Sequence, residues 1–180
     1  LMKVQVDAVD SSTGNVTTGS HGGVAHISFL GEVLDSTLEI VINSHSSSAT
    51  GNGGTLNVYA HSHLSNTIVN ISAPNVSNSR SKGVGGAIAV QSYGLMKNCD
   101  LLISGSLNDT HSGIAKYPAA SGGGVQLLTV SVSNSLIDID MGLSRTYASG
   151  SGGGIQAYFQ LDVLDSTVHI RTDGVDSNAG

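Results

Sequence analysis

The sequence predicts an all-β solenoid, a parallel β-helix of about five coils of about 31 residues each. Three observations carry that reading. The composition disfavours helices, a glycine pair recurs at a nearly fixed interval, and a polar marker recurs in step with it.

The 180 residues include 24 glycines, 2 prolines and no tryptophan, with Ser, Thr and Asn filling much of the remainder. Gly, Ser and Asn weaken helices and suit turns. Val, Ile and Leu stand between them in short alternating runs, which suits strands. No window sustains a helical apolar period, so almost no helix is expected.

The glycine pairs are Gly22-Gly23, Gly53-Gly54, Gly85-Gly86, Gly123-Gly124 and Gly153-Gly154, at intervals of 31, 32, 38 and 30 residues. Each opens a strand. The marker is Asp35, Asn66, Asn98, Asn134 and Asp165, at intervals of 31, 32, 36 and 31 residues. Two markers that keep step through insertions are the signature of stacked repeats.

Around the marker the side chains alternate. Two residues before it stand Val33, Leu64, Met96, Val132 and Val163; three after it stand Leu38, Val69, Leu101, Ile137 and Val168; five after it stand Ile40, Ile71, Ile103, Ile139 and Ile170. Glu39, Asn70, Leu102, Asp138 and His169 fall between the last two sets, so the pattern reads in, out, in. Each unit therefore has a strand leading into the marker, a tight turn, and a strand leaving it. In the last unit Ile155, Ala157, Phe159, Leu161 and Val163 keep one parity, which predicts two strands joined with little break. The fourth unit shifts parity at Leu127-Leu128, as a bulge would. The segments after the marker strand are Ser-, Gly- and Asn-rich and read as connections.

A coil of this size cannot bury its apolar face alone. Stacked at about 4.8 Å on its neighbours, it buries a continuous aliphatic column and pairs its backbone groups. The opening segment matches the back half of a unit, and the last residues stop where the next glycine pair is due. Residues 1–180 are thus expected to be one continuous β-helix segment, an excerpt of a longer array with further copies of the repeat at both ends.

This pattern resembles the right-handed parallel β-helix proteins of the pectin-lyase-like superfold. The resemblance implies a single-stranded right-handed solenoid, in agreement with the usual crossover preference. It also implies that Asp35, Asn66, Asn98, Asn134 and Asp165 form a structural turn ladder, amide stacked on amide. The following residue is Ser36, Thr67, Cys99, Ser135 or Ser166, so Cys99 reads as a packed serine surrogate. The triple glycines beside "VSVSNSLIDID" are similar to the dispersed gene family of protozoan surface proteins. The "GGAI" at Gly85 is similar to autotransporter and polymorphic outer-membrane repeats, whose companion Phe-x-x-Asn is missing here.

Chemistry is sparse. Charged residues make up 11% of the chain and its net charge is −6. The basic residues are scattered, which excludes a nucleic-acid surface. The lone Cys99 rules out an intrachain disulfide and a thiolate zinc site. No apolar run approaches the ~18 residues of a membrane span, so no membrane contact is expected within the segment. "SGSGGGIQ" lacks the lysine and following helix of a phosphate loop, so its glycines read as turn punctuation. Asp173 and Asp176 read as a turn without the calcium-binding nonapeptide. His61 and His63 point outward from one strand near Glu32 and Tyr93, a weak metal pattern that reads as polar filler. Asp138 beside His169 and Asp140 beside Arg171 read as a surface ladder. No cofactor, metal or catalytic residue is expected.

N-glycosylation sequons stand at Asn15, Asn70, Asn75 and Asn108, with Asn70 facing out and Asn75 and Asn108 in loops. Their number is what chance gives at this composition, so they permit a secreted chain without requiring it. The expected function is that of a non-enzymatic adhesin or stalk at the cell surface or outside the cell, meeting host or matrix glycans or proteins. The alternative, implied by the same superfold, is a polysaccharide lyase or hydrolase with sites outside this segment. Hydrolysis needs two carboxylates flanking the bond, and the outward residues on the glycine-pair strands, such as Gln126 and Gln156, are neutral.

Overall fold

The computed structural model describes residues 2–7, 17–18, 23–113, 122–173 and 175–179. Gly22 and Asn15 lie outside them. Among the described residues there are strands and no helix. The chain begins with β1 (Met2–Asp7) and β2 (Thr17–Thr18). It winds on through β3 (Ala25–Phe29), β4 (Val33–Leu34), β5 (Thr37–Ser44) and β6 (Ser47–Ala49). The next coil holds β7 (Leu56–Ala60), β8 (Leu64–Ser65) and β9 (Ile68–Ser81). Two coils follow with two long strands each: β10 (Ile88–Lys97) and β11 (Asp100–Ser112), then β12 (Val125–Ser133) and β13 (Leu136–Ala148). The last holds β14 (Ile155–Phe159), β15 (Val163–Leu164), β16 (Thr167–Thr172) and β17 (Val175–Ala179).

Every strand pairs in parallel with its equivalent one coil away. One sheet runs β1-β5-β9-β11-β13-β16, extended by β2, β6 and β17; the other runs β14-β12-β10-β7-β3, extended by β4, β8 and β15. This is a parallel β-solenoid. It makes about four turns rather than five, because five strands of the second sheet enclose four intervals, and the glycine-pair count had included incomplete coils.

The expected interior rows are present. Val33, Leu64, Met96, Val132 and Val163 pair in one unbroken row. Leu38, Val69, Leu101, Ile137 and Val168 form a second, and Ile40, Ile71, Ile103, Ile139 and Ile170 a third. In the inner coils these side chains are buried. Each fully buried aliphatic side chain contributes roughly 1.5–3 kcal/mol, so stability accumulates along the axis rather than at a centre.

Four expectations need correction. First, the equivalent glycine pairs in the last two coils are Gly122-Gly123 and Gly152-Gly153, one residue earlier than expected. The first member is left-handed in each case: φ is 62° at Gly53, 64° at Gly85, 68° at Gly122 and 66° at Gly152. The second member runs against the next coil. A Cβ on Gly86 would fall on the carbonyl oxygen of Gly123, and one on Gly123 on that of Gly153. Third glycines had shifted the count.

Second, the Ser- and Asn-rich segments after the marker strand are largely strands, not loops. They form β6, β17 and the second arms of β9, β11 and β13. Each arm begins at a left-handed residue, Asn78 (φ 49°), Asp109 (φ 55°) or Arg145 (φ 51°), which turns the strand while pairing continues on either side. Inside this corner runs a row of small hydroxyls, Ser47, Ser79, Thr110 and Thr146. Ser79 Oγ donates to Gly86 O and Thr110 Oγ1 to Gly123 O, both at 2.8 Å. The corner is narrow because the glycine-pair strand approaches it closely, so only small side chains fit.

Third, the parity shift of the fourth coil lies near Val130-Ser131: Leu127 pairs with Val90 in regular register, and the slip falls between Ser92 and Leu95 of the facing strand. Fourth, Leu161 is 68% exposed, at a corner between β14 and β15, and does not join the interior row.

Candidate functional site

The marker residues occupy equivalent turns of successive coils, and side-chain hydrogen bonds link the first three of them. Asp35, Asn66, Asn98, Asn134 and Asp165 all take left-handed φ between 47° and 52°, the conformation that Asn and Asp tolerate best. The Asn66 amide donates to Asp35 Oδ1 at 2.8 Å and the Asn98 amide to Asn66 Oδ1 at 3.0 Å. The next residue bonds back to the carbonyl two positions earlier: Ser36 to Leu34 O at 2.6 Å, Thr67 to Ser65 O at 2.9 Å, Ser135 to Ser133 O at 2.7 Å and Ser166 to Leu164 O at 2.7 Å. The Cys99 thiol does the same with Lys97 O at 3.2 Å, as a serine surrogate should. Burial is the main reason its pKa rises, so it is a poor nucleophile. This ladder is architecture, not chemistry.

The outward face of the second sheet carries two rows. One is His26, Asn57, Ala89, Gln126 and Gln156; the other is Ser28, Tyr59, Gln91, Leu128 and Tyr158. Amides and phenols dominate, and no carboxylate stands in either row. Asn57 and Gln126 are 0% and 4% exposed, and among the described residues Asn57 Oδ1 and Gln126 Oε1 find no hydrogen-bond donor. Asn52, from the connection after β6, reaches over this face: its amide donates to Gln91 Oε1 at 3.3 Å and its oxygen accepts from Val84 N at 3.2 Å.

At the edge of this face the chain turns between β7 and β8. His61 and His63 lie in that turn rather than on a strand. His61 packs on Tyr59, and His63 Nδ1 accepts from the backbone N–H of Leu95 at 2.8 Å. Among the described residues no group of three His, Cys, Asp or Glu side chains could hold a metal ion.

The ladder of Asp138, Asp140, His169 and Arg171 has the expected register. Arg171 spans both acids: Nη2 donates to Asp138 Oδ1 at 2.8 Å and Oδ2 at 3.0 Å, and Nε to Asp140 Oδ2 at 3.3 Å. The two carboxylates raise the guanidinium pKa, Asp138 foremost. Asp176 falls in β17 rather than in a turn.

One polar cluster was missed from the sequence. Arg80 Nη2 donates to Asp109 Oδ2 at 2.9 Å, and His111 Nε2 lies 3.2 Å from Asp109 Oδ1. The His111 ring packs against Tyr147 on the next coil, with centroids 5.6 Å apart. The hydrogen bond from Arg80 is the main reason the Asp109 carboxyl is held low. Burial, reinforced by Arg80, lowers His111 despite its bond to Asp109. The signal was available: Asn78, Asp109 and Arg145 follow the marker at a steady offset of 11 or 12 residues.

Asn70 sits half-buried on the outer face of the first sheet between Glu39 and Leu102. Asn75 and Asn108 lie in β9 and β11, not in loops. Asn75 is exposed, whereas Asn108 Oδ1 accepts from Arg145 Nη2 at 3.3 Å. The sequence matches no protein-family model, no curated protein and no solved structure.

Proposed function

We propose that the chain is a non-enzymatic β-helix segment of a secreted or cell-surface protein, serving as an adhesin or stalk. The neutral outer face of the second sheet carries the proposal. Its outward rows hold no carboxylate pair for acid–base work, and what they present to a partner is the exposed Tyr158 with the half-buried Tyr59 and Gln156. Asp138 and Asp140 stand together on the other sheet but share Arg171, which holds them as an ion-paired patch. Continuous parallel pairing along the axis suits a spacer that carries a broad surface away from an anchor.

The test sets binding beside turnover. The chain is assayed on a glycan array and on cells and matrix, in parallel with reducing-sugar release from uronate polymers. Saturable binding without release is the expected result. Release that Asp138→Asn abolishes would replace this reading with the polysaccharide enzyme. No binding to any surface would leave a pure spacer.

A further inference from the structure

The corner after the first strand differs between coils. It reads Leu30-Gly31-Glu32, His61-Ser62-His63, Tyr93-Gly94-Leu95 and Gln160-Leu161-Asp162; the fourth coil is one residue shorter there, which produces the register slip between Ser92 and Leu95. Such slips re-aim side chains and cluster at functional places. Here Tyr93, 43% exposed, lies over Tyr59 of the preceding coil, with ring centroids 5.0 Å apart and planes inclined by 33°. His61 adds a third ring 4.2 Å from Tyr59.

The arrangement is braced from behind. The Leu95 N–H is held by His63 Nδ1, and Gly94 runs so close to the Ser62 backbone that no Cβ would fit. Gln91, in register with Tyr59, is buried and its Oε1 accepts from the Asn52 amide, so the rings alone form the accessible surface here. Burial, and then Tyr59, push the Tyr93 phenol above its ordinary value, so at neutral pH it stays a hydrogen-bond donor.

We propose that Tyr93, backed by Tyr59, forms a stacking site for a neutral pyranose glycan. The proposal rests on the adhesive reading above and gives it an address. A pyranose ring presents a patch of C–H bonds on one face and hydroxyls around its rim. Flat phenol rings accept the first at little entropic cost, having only two side-chain torsions to freeze. The phenol hydroxyls bond the second. A nucleic acid would also stack, but its phosphates need cations, and this cluster has no Lys or Arg in a chain of net charge −6. A uronate chain lacks its counter-charge for the same reason. The two rings are tilted by 33° and stack on each other rather than surrounding a common point. The exposed Tyr93 ring is therefore what a sugar meets, with Tyr59 as its support, and no cage for a quaternary ammonium group is formed.

The experiment uses the 180-residue chain, its Tyr59→Ala, Tyr93→Ala and Tyr93→Phe variants, and an array of neutral and uronic oligosaccharides. With no tryptophan present, tyrosine fluorescence reads the titration of a neutral oligosaccharide retained on the array. Either alanine variant is expected to weaken binding about tenfold, and Tyr93→Phe by less than about threefold. Unchanged circular dichroism shows that the fold is kept. Should a variant fail to fold, wild-type chain nitrated with and without the neutral glycan supplies the answer: Tyr93 must be protected. Equal affinity in Tyr93→Ala, no protection, or retention of uronates alone would overturn the site. Binding to cells or matrix without any neutral-glycan binding would overturn it and leave the adhesive reading standing. No binding of any kind would end both.

Discussion

The fourth coil and the last one read alike in sequence and differ in burial. Val132 and Ile139 are 1% and 0% exposed, whereas their equivalents Val163 and Ile170 are 40% and 45% exposed. Register and φ at the marker turn are the same in both. The pattern therefore fixes where a side chain points, and the neighbouring coil decides whether pointing inward removes it from water. Stability in such a chain is a sum over interfaces between coils, as in other one-dimensional repeats.

That contrast can be broken most severely at the glycines. Gly86→Val forces a side chain onto the Gly123 carbonyl and is expected to cost about 3 kcal/mol or more, enough to unfold the central coils. Gly31→Val, at a corner where nothing lies within 4 Å, should stay within about 0.5 kcal/mol of wild type. Urea melts of the two variants measure the difference. Next in size is the interior row. Ile139→Ala should cost about 2–5 kcal/mol, and Ile170→Ala, half in water already, under about 1 kcal/mol. Equal losses would mean that burial does not depend on the adjoining coil.

The turn ladder gives a smaller effect. Asn66→Ala loses a left-handed preference and amide bonds to both neighbouring coils, for about 1–2 kcal/mol. Asn66→Gly keeps the conformation and should lose less. Asp165→Gly, in the exposed last coil, should be nearly neutral. The mildest effect is on pH. The folded chain resists protonating His111, so stability should fall as pH drops below the ordinary value of 6.5. Asp109 is held below its ordinary 3.8, so a second loss follows as pH falls past that value. His111→Gln should flatten the first step in denaturant midpoints taken at falling pH. A wild-type midpoint that rises on acidification would contradict the sign.

Much of this architecture was legible in the residues. The rows through Val33, Leu38 and Ile40 follow from period-two alternation locked to a repeated turn residue, and both constraints are local. What was hidden is set by neighbours along the axis. The second arms read as loops because their interior positions are Ser79, Thr110 and Thr146, polar in sequence yet buried against the glycine strand. Propensity scores such residues as turns; the narrow corner makes them core. The Arg80–Asp109–His111 cluster and the Tyr59–Tyr93 pair join residues about one coil apart in sequence; the first sits at the left-handed corner of the second arm and the second at the register slip. Leu161 misled in the opposite direction, since a leucine of correct parity sits at an exposed corner.

Coil stacking itself can be measured as a ruler. Leu34, Ser65, Lys97, Ser133 and Leu164 occupy one row of the marker corner. Spin labels at cysteine pairs introduced along this row, in a Cys99→Ser background, should show separations growing by about 4.8 Å per coil, to about 19 Å between positions 34 and 164. Separations that do not rise steadily with coil number would contradict the solenoid and every inference built on it.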